Sequence, residues 1–316
     1  MDFCYKHPPI TKLSTLARIL RIEEHLLVGL AENADKYYKI GSRKKKPDGT
    51  ERITYDAKPP LKSVHARIKC LILRNITFPP YLHGGIGDPV VPRDYVSSAR
   101  THQSAKTLVC EDIQQFFPSV QADVIRDIWE GLLHFSPVVA NCLTKLTTKD
   151  GALPQGAKTS TALANLVFWR EEPGLVAYFR SKGIEYTRFI DDINCSSKSV
   201  LDSSELADVV RRIHSMCAKY RLRLKRSKHK VSMSGMRMVT TKLIVNRRVS
   251  LPREERSAIR GAVKKLEVDA QTEQNKSTLW YGRQFRSLSG KVGKLKRFHP
   301  VEAVELRERL RAISPC

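Results

Sequence analysis

The sequence predicts an α+β fold, and three observations carry that prediction. Amphipathic runs at helical spacing recur along the chain, Leu206–Tyr220 among them. Short strand-like segments lie between them: Thr107–Cys110, and the two apolar runs that flank Asp191-Asp192. Hydrophobic residues make up 41% of the 316, enough to bury a core, so the chain is read as one large domain or two or three small ones.

In chain order, Ile10–Ala34 is predicted as a helix from the apolar positions Leu13, Leu16, Ile19, Leu20, Leu26, Leu27 and Leu30. The basic stretch Lys36–Tyr55 reads as a β-hairpin turning at Pro47-Asp48-Gly49. Its cations Arg43–Lys46 are either a solvated loop or a phosphate contact. Leu61–Ile76 is an amphipathic helix ended by Pro79-Pro80, and Tyr81–Pro92 is a Gly/Pro-rich loop. The Gly-Gly-Ile-Gly within it lacks the preceding strand and following helix of a dinucleotide site. A short helix over Val96–Lys106 carries His102. Asp112 stands where the strand Thr107–Cys110 ends, ahead of Phe116 and Phe117, and Asp123–Phe135 is the next helix.

Gly151–Trp169 then places a Pro-Gln-Gly turn before a helix capped by Thr159 or Ser160, a setting suited to an anion or a base-pair edge. The helix resumes over Leu175–Lys182 and delivers the chain to a hairpin with Asp191 and Asp192 at its tip. Beyond Leu206–Tyr220, the most basic segment, Arg221–Lys230, reads as a strand with one cationic face. Val239–Arg248 alternates like a strand, Pro252–Leu266 is an Arg- and Lys-rich helix, and Asp269–Ser277 is a polar loop. Trp280–Arg297 interleaves aromatics with cations, which suits a nucleic-acid surface. A last helix covers Val301 to Ile313.

The net charge of +24 points to a polyanionic partner, nucleic acid before anionic membrane. The N-terminus lacks a signal-peptide layout, and no apolar run approaches the ~20 residues of a membrane span. Seven scattered cysteines without a Cys-x-x-Cys pair suggest neither a disulfide framework nor a zinc site. A reduced, cytoplasmic, nucleic-acid-binding protein is expected.

Three carboxylates stand out. Adjacent Asp191 and Asp192 repel by about 4 kcal/mol at an effective dielectric near 20. A solvated turn tolerates such a pair, and a divalent cation removes the penalty. Antiparallel neighbours would bring Asp112 to them, and the three acids would then hold two Mg²⁺ ions, one activating a 3′-hydroxyl and one steadying a leaving pyrophosphate.

The order D-I-Q-Q-F-F-P-S (112–119), L-P-Q-G-A-K-T-S (153–160) and R-F-I-D-D-I (188–193) resembles the palm motifs of reverse transcriptases. More narrowly it resembles the bacterial retron type. R-I-T-Y-D-A-K-P-P-L-K-S-V (52–64), S-A-R-T-H (98–102) and V-T-T-K-L-I-V-N-R-R-V-S-L-P-R (239–253) support that narrowing, and matches run from about Arg52 to Gly290. The resemblance implies a right-hand polymerase: fingers over 1–105, an antiparallel palm over 106–235 with some fingers elements interleaved, and a basic helical thumb over 236–316. It implies RNA-directed DNA synthesis on a structured noncoding RNA that is both template and primer, with dNTPs as substrates and a DNA product. It also implies Mg²⁺ as cofactor with Mn²⁺ as a possible substitute, and a role in phage defence beside a separate effector protein.

Residue by residue, Asp112, Asp191 and Asp192 match the metal-binding acids, and the Ile113 carbonyl adds a ligand. Phe117 matches the aromatic that blocks a ribose 2′-hydroxyl, or is a core ring. Gln155 and Gly156 match the turn beside the nascent base pair. Arg52 matches a triphosphate contact, or is a plain surface arginine. Lys228 is a candidate for the lysine near the incoming phosphates. His102 has a retron-specific RNA role or packs. Arg223, Lys225, Arg226, Arg253, Arg256, Arg260 and Lys264 are the expected nucleic-acid contacts. Phe189-Ile190 stands where the family usually has Tyr-Ala, Ser98-Ala99-Arg100-Thr101-His102 where retron enzymes have Asn-Ala-x-x-His, and Val239-Thr240-Thr241 where they have Val-Thr-Gly. Another bacterial reverse transcriptase class (defence-associated, diversity-generating or intron-derived) and a non-catalytic RNA-binding protein on the same fold are the alternatives.

Overall fold

The computed structural model describes residues 3–45, 49, 51–271 and 276–315. The expected turn residues Pro47 and Asp48, and positions 272–275 of the expected polar loop Asp269–Ser277, lie outside the described residues. Five strands precede the predicted palm: β1 (Cys4–Tyr5), β2 (Tyr38–Lys45), β3 (Glu51–Ala57), β4 (Ile76–Thr77) and β5 (Leu82–His83). Next come β6 (Thr107–Asp112), β7 (Ile184–Phe189), β8 (Asp192–Ser197) and β9 (Lys230–Met233), then the short pair β10 (Val239–Thr240) and β11 (Leu243–Ile244).

A five-stranded sheet in the order β5-β7-β8-β6-β9 forms the centre. Only the β5–β7 edge is parallel; β7–β8, β8–β6 and β6–β9 are antiparallel. Strand β6 has Thr107, Leu108, Val109, Glu111 and Asp112 all buried. It therefore reads as a continuous apolar run with acids at its end rather than as an alternating half-buried strand. Side chains alternate across β7. Tyr186 and Arg188 meet Glu172, at the start of helix Glu172–Ser181. Thr187 faces Ser98 and His102 at helix Tyr95–Thr101. Helices thus brace the β7–β8 hairpin from both faces.

Two hydrophobic cores result. The larger runs from Ile10 to Leu222 and includes Trp129, Phe168 and Phe179. The smaller joins Val96, Ala99 and Leu108 to the C-terminal helices Arg253–Asp269, Leu279–Lys296 and Pro300–Ala312. The β2–β3 hairpin forms as expected, with a register shift between Ile40 and Ser42.

Several elements differ from the sequence reading. The first helix is two, Leu13–Ile19 and Glu24–Glu32, because Arg21 takes φ 50° between them. The helix from Leu61 stops at Leu71, and a 3₁₀ turn leads into β4. After Ala122–Asp127 the chain winds into a π-helical turn over Ile128–Leu132. Neither Thr159 nor Ser160 caps its helix: Thr159 is helical with no capping bond, and Ser160 Oγ donates to the Pro154 carbonyl at 2.5 Å. The basic segment is not a strand. Arg221 takes φ 60°, and a 3₁₀ turn over Arg226–Lys228 precedes β9. Val239–Arg248 folds as the tight β10–β11 hairpin, turning at Thr241-Lys242 with positive φ at both. No helix among the described residues is long and apolar enough to cross a membrane.

Candidate active site

Asp112 is the last residue of β6, and Asp192, the first of β8, is its cross-strand partner. The hairpin register pairs Phe189 with Asp192, so the two-residue turn is Ile190-Asp191. This corrects the expectation that both acids sit at the tip: Asp192 belongs to the strand. The position with positive φ falls on Ile190, at 62°. A β-branched residue there costs roughly 1–3 kcal/mol and persists only where surroundings impose it.

The surroundings are specific. A Cβ on Gly84 would lie 3.0 Å from Ile190 Cγ1 and 3.1 Å from the Phe189 ring, so the glycine lets the β5 loop close against the turn. From the other side Arg188 Nη1 donates to the Ile190 carbonyl at 3.0 Å. Arg188 Nε and Nη2 fork onto the Glu172 carboxylate at 2.6 and 2.8 Å, with both side chains fully buried. The Tyr186 hydroxyl donates to the same carboxylate at 2.7 Å. Sequence reading missed Arg188 and Glu172. The only signal was an arginine in a strand otherwise bound for the core, which must find an acid.

The chain after Tyr220 closes the acid end of β6. Lys225 N–H donates to the Asp112 carbonyl at 2.7 Å and Gln114 N–H to the Arg223 carbonyl at 2.8 Å. Lys228 Nζ forms an ion pair with Asp112 Oδ2. Behind it, buried Glu111 meets His229 Nδ1 at 2.5 Å, a second pair the sequence reading did not single out.

Crowding marks the site electrically. Burial, then the charge of Asp112, raises the proton affinity of Asp191. Burial, then Asp191 and a hydrogen bond with Asp112, raises that of Asp192 further. Burial opposes the charge on Lys228, but its contact with Asp112 outweighs it and the pKa rises. Acids that resist ionisation side by side are where an added cation gains most. As folded, no three His, Cys, Asp or Glu side chains among the described residues form a ready coordination shell. The donor set is the hard-oxygen kind that Mg²⁺ takes, with the Lys228 ammonium against it.

Asp112, Ile113, Asp191, Arg52, Phe117, Gln155, Lys225 and Lys228 line one cavity of about 610 Å³. The Tyr55 N–H donates to the Gln155 carbonyl at 2.7 Å, docking the β2–β3 hairpin over the turn. With its side-chain amide oxygen turned inward, Gln155 accepts from Arg52 Nε at 2.8 Å. Gly156, at φ 108°, has no room for a Cβ, which would stand 2.8 Å from the Tyr55 carbonyl oxygen.

Other expected contacts lie elsewhere. His102 is wholly buried, hydrogen-bonded through Nδ1 to Ser196 and Nε2 to Thr187 at 2.7 Å each, so it cannot touch RNA. It ties β7 to β8 beneath the acids. Arg256 and Arg260 are both bound to Glu302 on the neighbouring helix, which removes them as free phosphate contacts. Arg253 and Lys264 are exposed on the same helix, and Arg223 and Arg226 flank the cavity segment without lining it.

Comparison with known proteins bears on this site. Residues 44–278 match the family model described as reverse transcriptase (RNA-dependent DNA polymerase). The chain is 33% identical to the retron Se72 reverse transcriptase of Salmonella heidelberg (strain 579083-10) over 97% of its own length and 80% of that protein's. It is 30% identical to the retron Ec48 reverse transcriptase of Escherichia coli over 97% and 77%. A solved telomerase structure from Candida albicans superposes with a TM-score of 0.40 at 9% identity, over 66% of this chain and 40% of that one, too slight a likeness to carry weight.

Proposed function

The chain belongs to the reverse transcriptase (RNA-dependent DNA polymerase) family, with its α+β right-hand fold, and is an RNA-directed DNA polymerase of retron type; from that premise we propose how its residues divide the work. The observation that carries the reading is the pairing of Asp112 with Asp192 across two strands, with Asp191 beside them at the mouth of a cavity. Asp112, Asp191 and Asp192, with the Ile113 carbonyl, hold two divalent cations, Mg²⁺ or Mn²⁺. When bound, these supply Lewis acidity and neutralise the charge of a triphosphate.

The remaining groups bind and orient. Arg52, on the hairpin over the cavity, grips the triphosphate, and its bond to Gln155 keeps it aimed inward. Phe117 packs against the sugar and excludes a 2′-hydroxyl. Gln155 and Gly156 present a flat backbone to the nascent base pair. Lys228 shields Asp112 and exchanges that contact for the incoming phosphates. Arg223, Lys225, Arg226, Arg253 and Lys264 meet the template–primer backbone. The chain divides into fingers (1–105), palm (106–235) and thumb (236–316), with Val96, Ala99 and Leu108 packed into the thumb-side core. The template and primer are a cognate structured noncoding RNA, and the product acts in phage defence with a separate effector.

The test is the variant Asp191→Asn/Asp192→Asn on a primed RNA template. Incorporation of dNTPs falls to background while RNA binding persists. Wild-type incorporation in that variant overturns the assignment.

A further inference from the structure

Two buried ion pairs sit one residue behind the catalytic acids. Across the sheet Phe189, Asp192 and Asp112 form one row, and Arg188, Ile193 and Glu111 form the next. Neighbouring residues of a strand face opposite sides, so the second row points away from the cavity. At one end of it Arg188 holds Glu172, and that pair supports the Ile190 turn. At the other end Glu111, 3% exposed, meets His229 Nδ1 at 2.5 Å.

The register gives this second pair a use. Pairing of β9 with β6 runs from Met233 opposite Thr107 to Lys230 opposite Cys110, and stops. Carried on by one and two residues, the same register sets His229 opposite Glu111 and Lys228 opposite Asp112. Both contacts form, yet outside the ladder, because Arg226–Lys228 winds as a 3₁₀ turn. Within the turn, Lys228 N–H donates to the Lys225 carbonyl at 2.8 Å and His229 N–H to the Arg226 carbonyl at 3.2 Å. Those bonds fix the shape of the turn and not the side it faces. Lys225 N–H ties its front to the Asp112 carbonyl at 2.7 Å, and His229 ties its back to Glu111. The Lys228 side chain is 52% exposed, and exposed ion pairs contribute little, so its contact with Asp112 is a weak anchor. A slip of one residue would turn His229 to the cavity and Lys228 behind the sheet. A buried carboxylate that cannot give up its partner forbids that slip.

We propose that the Glu111–His229 pair is a positioning device for the reaction: it holds the Arg226–Lys228 turn in the register that aims the Lys228 ammonium at the catalytic cavity. This rests on the reading of Lys228 as the lysine that meets the incoming phosphates. It adds that His229, which touches no substrate, acts on dNTP binding through Lys228 alone.

The test uses the full chain and single-nucleotide incorporation on a primed RNA template. Lys228→Met raises the KM for dNTP by about tenfold or more, the loss of one charged contact. His229→Ala raises it by a similar factor with a smaller change in kcat, and in the Lys228→Met background it adds less than about twofold. His229→Asn, whose amide N–H replaces Nδ1–H against Glu111, restores the wild-type KM. A readout apart from activity is the rate at which an acylating reagent modifies Lys228, followed by mass spectrometry with Lys294, held by Glu255, as reference. That rate rises several-fold in His229→Ala and returns in His229→Asn, while the reference is unmoved. Glu111→Met/His229→Leu buries no lone charge and repeats the cycle where His229→Ala unfolds in urea too early to assay. A His229→Ala defect that multiplies the Lys228→Met defect in full, or unaltered Lys228 labelling, overturns the inference and leaves the pair a structural contact. A wild-type KM in Lys228→Met overturns the Lys228 reading itself, and the inference with it.

Discussion

Replacing Arg188 tests whether the catalytic turn is held from behind. All five guanidinium donors are used: two on Glu172 at 2.6 and 2.8 Å, one on Asn165 O at 3.0 Å, and two from Nη1 on Ile190 O and Ala164 O at 3.0 and 3.4 Å. In Arg188→Met the Glu172 carboxylate stays buried with only the Tyr186 hydroxyl for company. Breaking a buried pair in this way costs about 3–5 kcal/mol, a large part of the 5–15 kcal/mol typical of a whole domain. Arg188→Lys keeps the charge, yet a compact ammonium cannot reach Glu172 and the Ile190 carbonyl together. One or two charged hydrogen bonds go, about 2–3 kcal/mol. The Ile190 carbonyl then loses its fixed donor, the turn relaxes from φ 62°, and Asp191 shifts with it. A displacement near 1 Å is worth on the order of 10²-fold in rate. Urea unfolding and single-turnover incorporation, both read where each variant is fully folded, separate the two effects. Glu172→Gln closes a double-mutant cycle with Arg188→Met, with an expected coupling of about 2 kcal/mol or more. A coupling below ~0.5 kcal/mol, or wild-type turnover in Arg188→Lys, would refute the reasoning.

Two further perturbations follow from the same surroundings. Gly156→Ala places a methyl against the Tyr55 carbonyl at a φ that side chains avoid, costing about 1–3 kcal/mol. It pushes the β2–β3 hairpin off the turn, so the KM for dNTP rises more than kcat falls; an unchanged KM contradicts the docking geometry. Acid is predicted to unfold the protein through its buried histidines. Burial, helped by neighbouring His83, depresses His102 to about 3, and burial, then Arg93, depresses His83 to about 4 against the opposing pull of Asp94. Folded-state values below the unfolded 6.5 mean that the unfolded chain takes up protons first, so stability is complete above pH 6.5 and falls as pH drops toward 4 and 3. At about 1.4 kcal/mol per unit and per group, pH 4.5 removes up to about 3 kcal/mol for each. His102→Gln, which keeps hydrogen bonds and cannot charge, should roughly halve that dependence in urea midpoints; an identical pH profile speaks against it.

The strand ends were legible because period and chemistry agree there. Thr107–Cys110 is apolar and β-branched enough to be a strand, and it delivers Asp112 where an acid has no place in a core. The hairpin from Tyr186 was legible for the same reason, but its register was not. Asp is the better turn former, so the local rule put both acids at the tip, whereas cross-strand pairing with Asp112 drew Asp192 into the strand and left the strained φ to Ile190. The Arg221–Lys230 segment failed likewise: Leu222 and Leu224 alternate with cations, yet Leu224 makes only an isolated bridge to Ile113, just past the end of β6, and the chain turns to bring Lys228 onto Asp112 before β9 starts at Lys230. His102 reads as either an RNA contact or a packing residue because Ser98–His102 stands where retron enzymes have Asn-Ala-x-x-His. Nothing local says that Thr187 and Ser196, far along the chain, will enclose it.

Charge shows why a count of cations misleads. The stripe Arg253, Arg256, Arg260, Lys264 has the spacing of one helix face and promises four phosphate contacts. Glu302, on the last of the three C-terminal helices, takes both Arg256 and Arg260. Nearby, Lys294 is held by Glu255, and Arg309 by Glu267. These pairs join the three C-terminal helices to one another, so much of that region's basicity is spent on its own geometry. A surplus of +24 therefore says that a polyanion binds, while the placement of the acids says where. Cations that no carboxylate pairs with leave more of their field for a partner than cations already bound to acids.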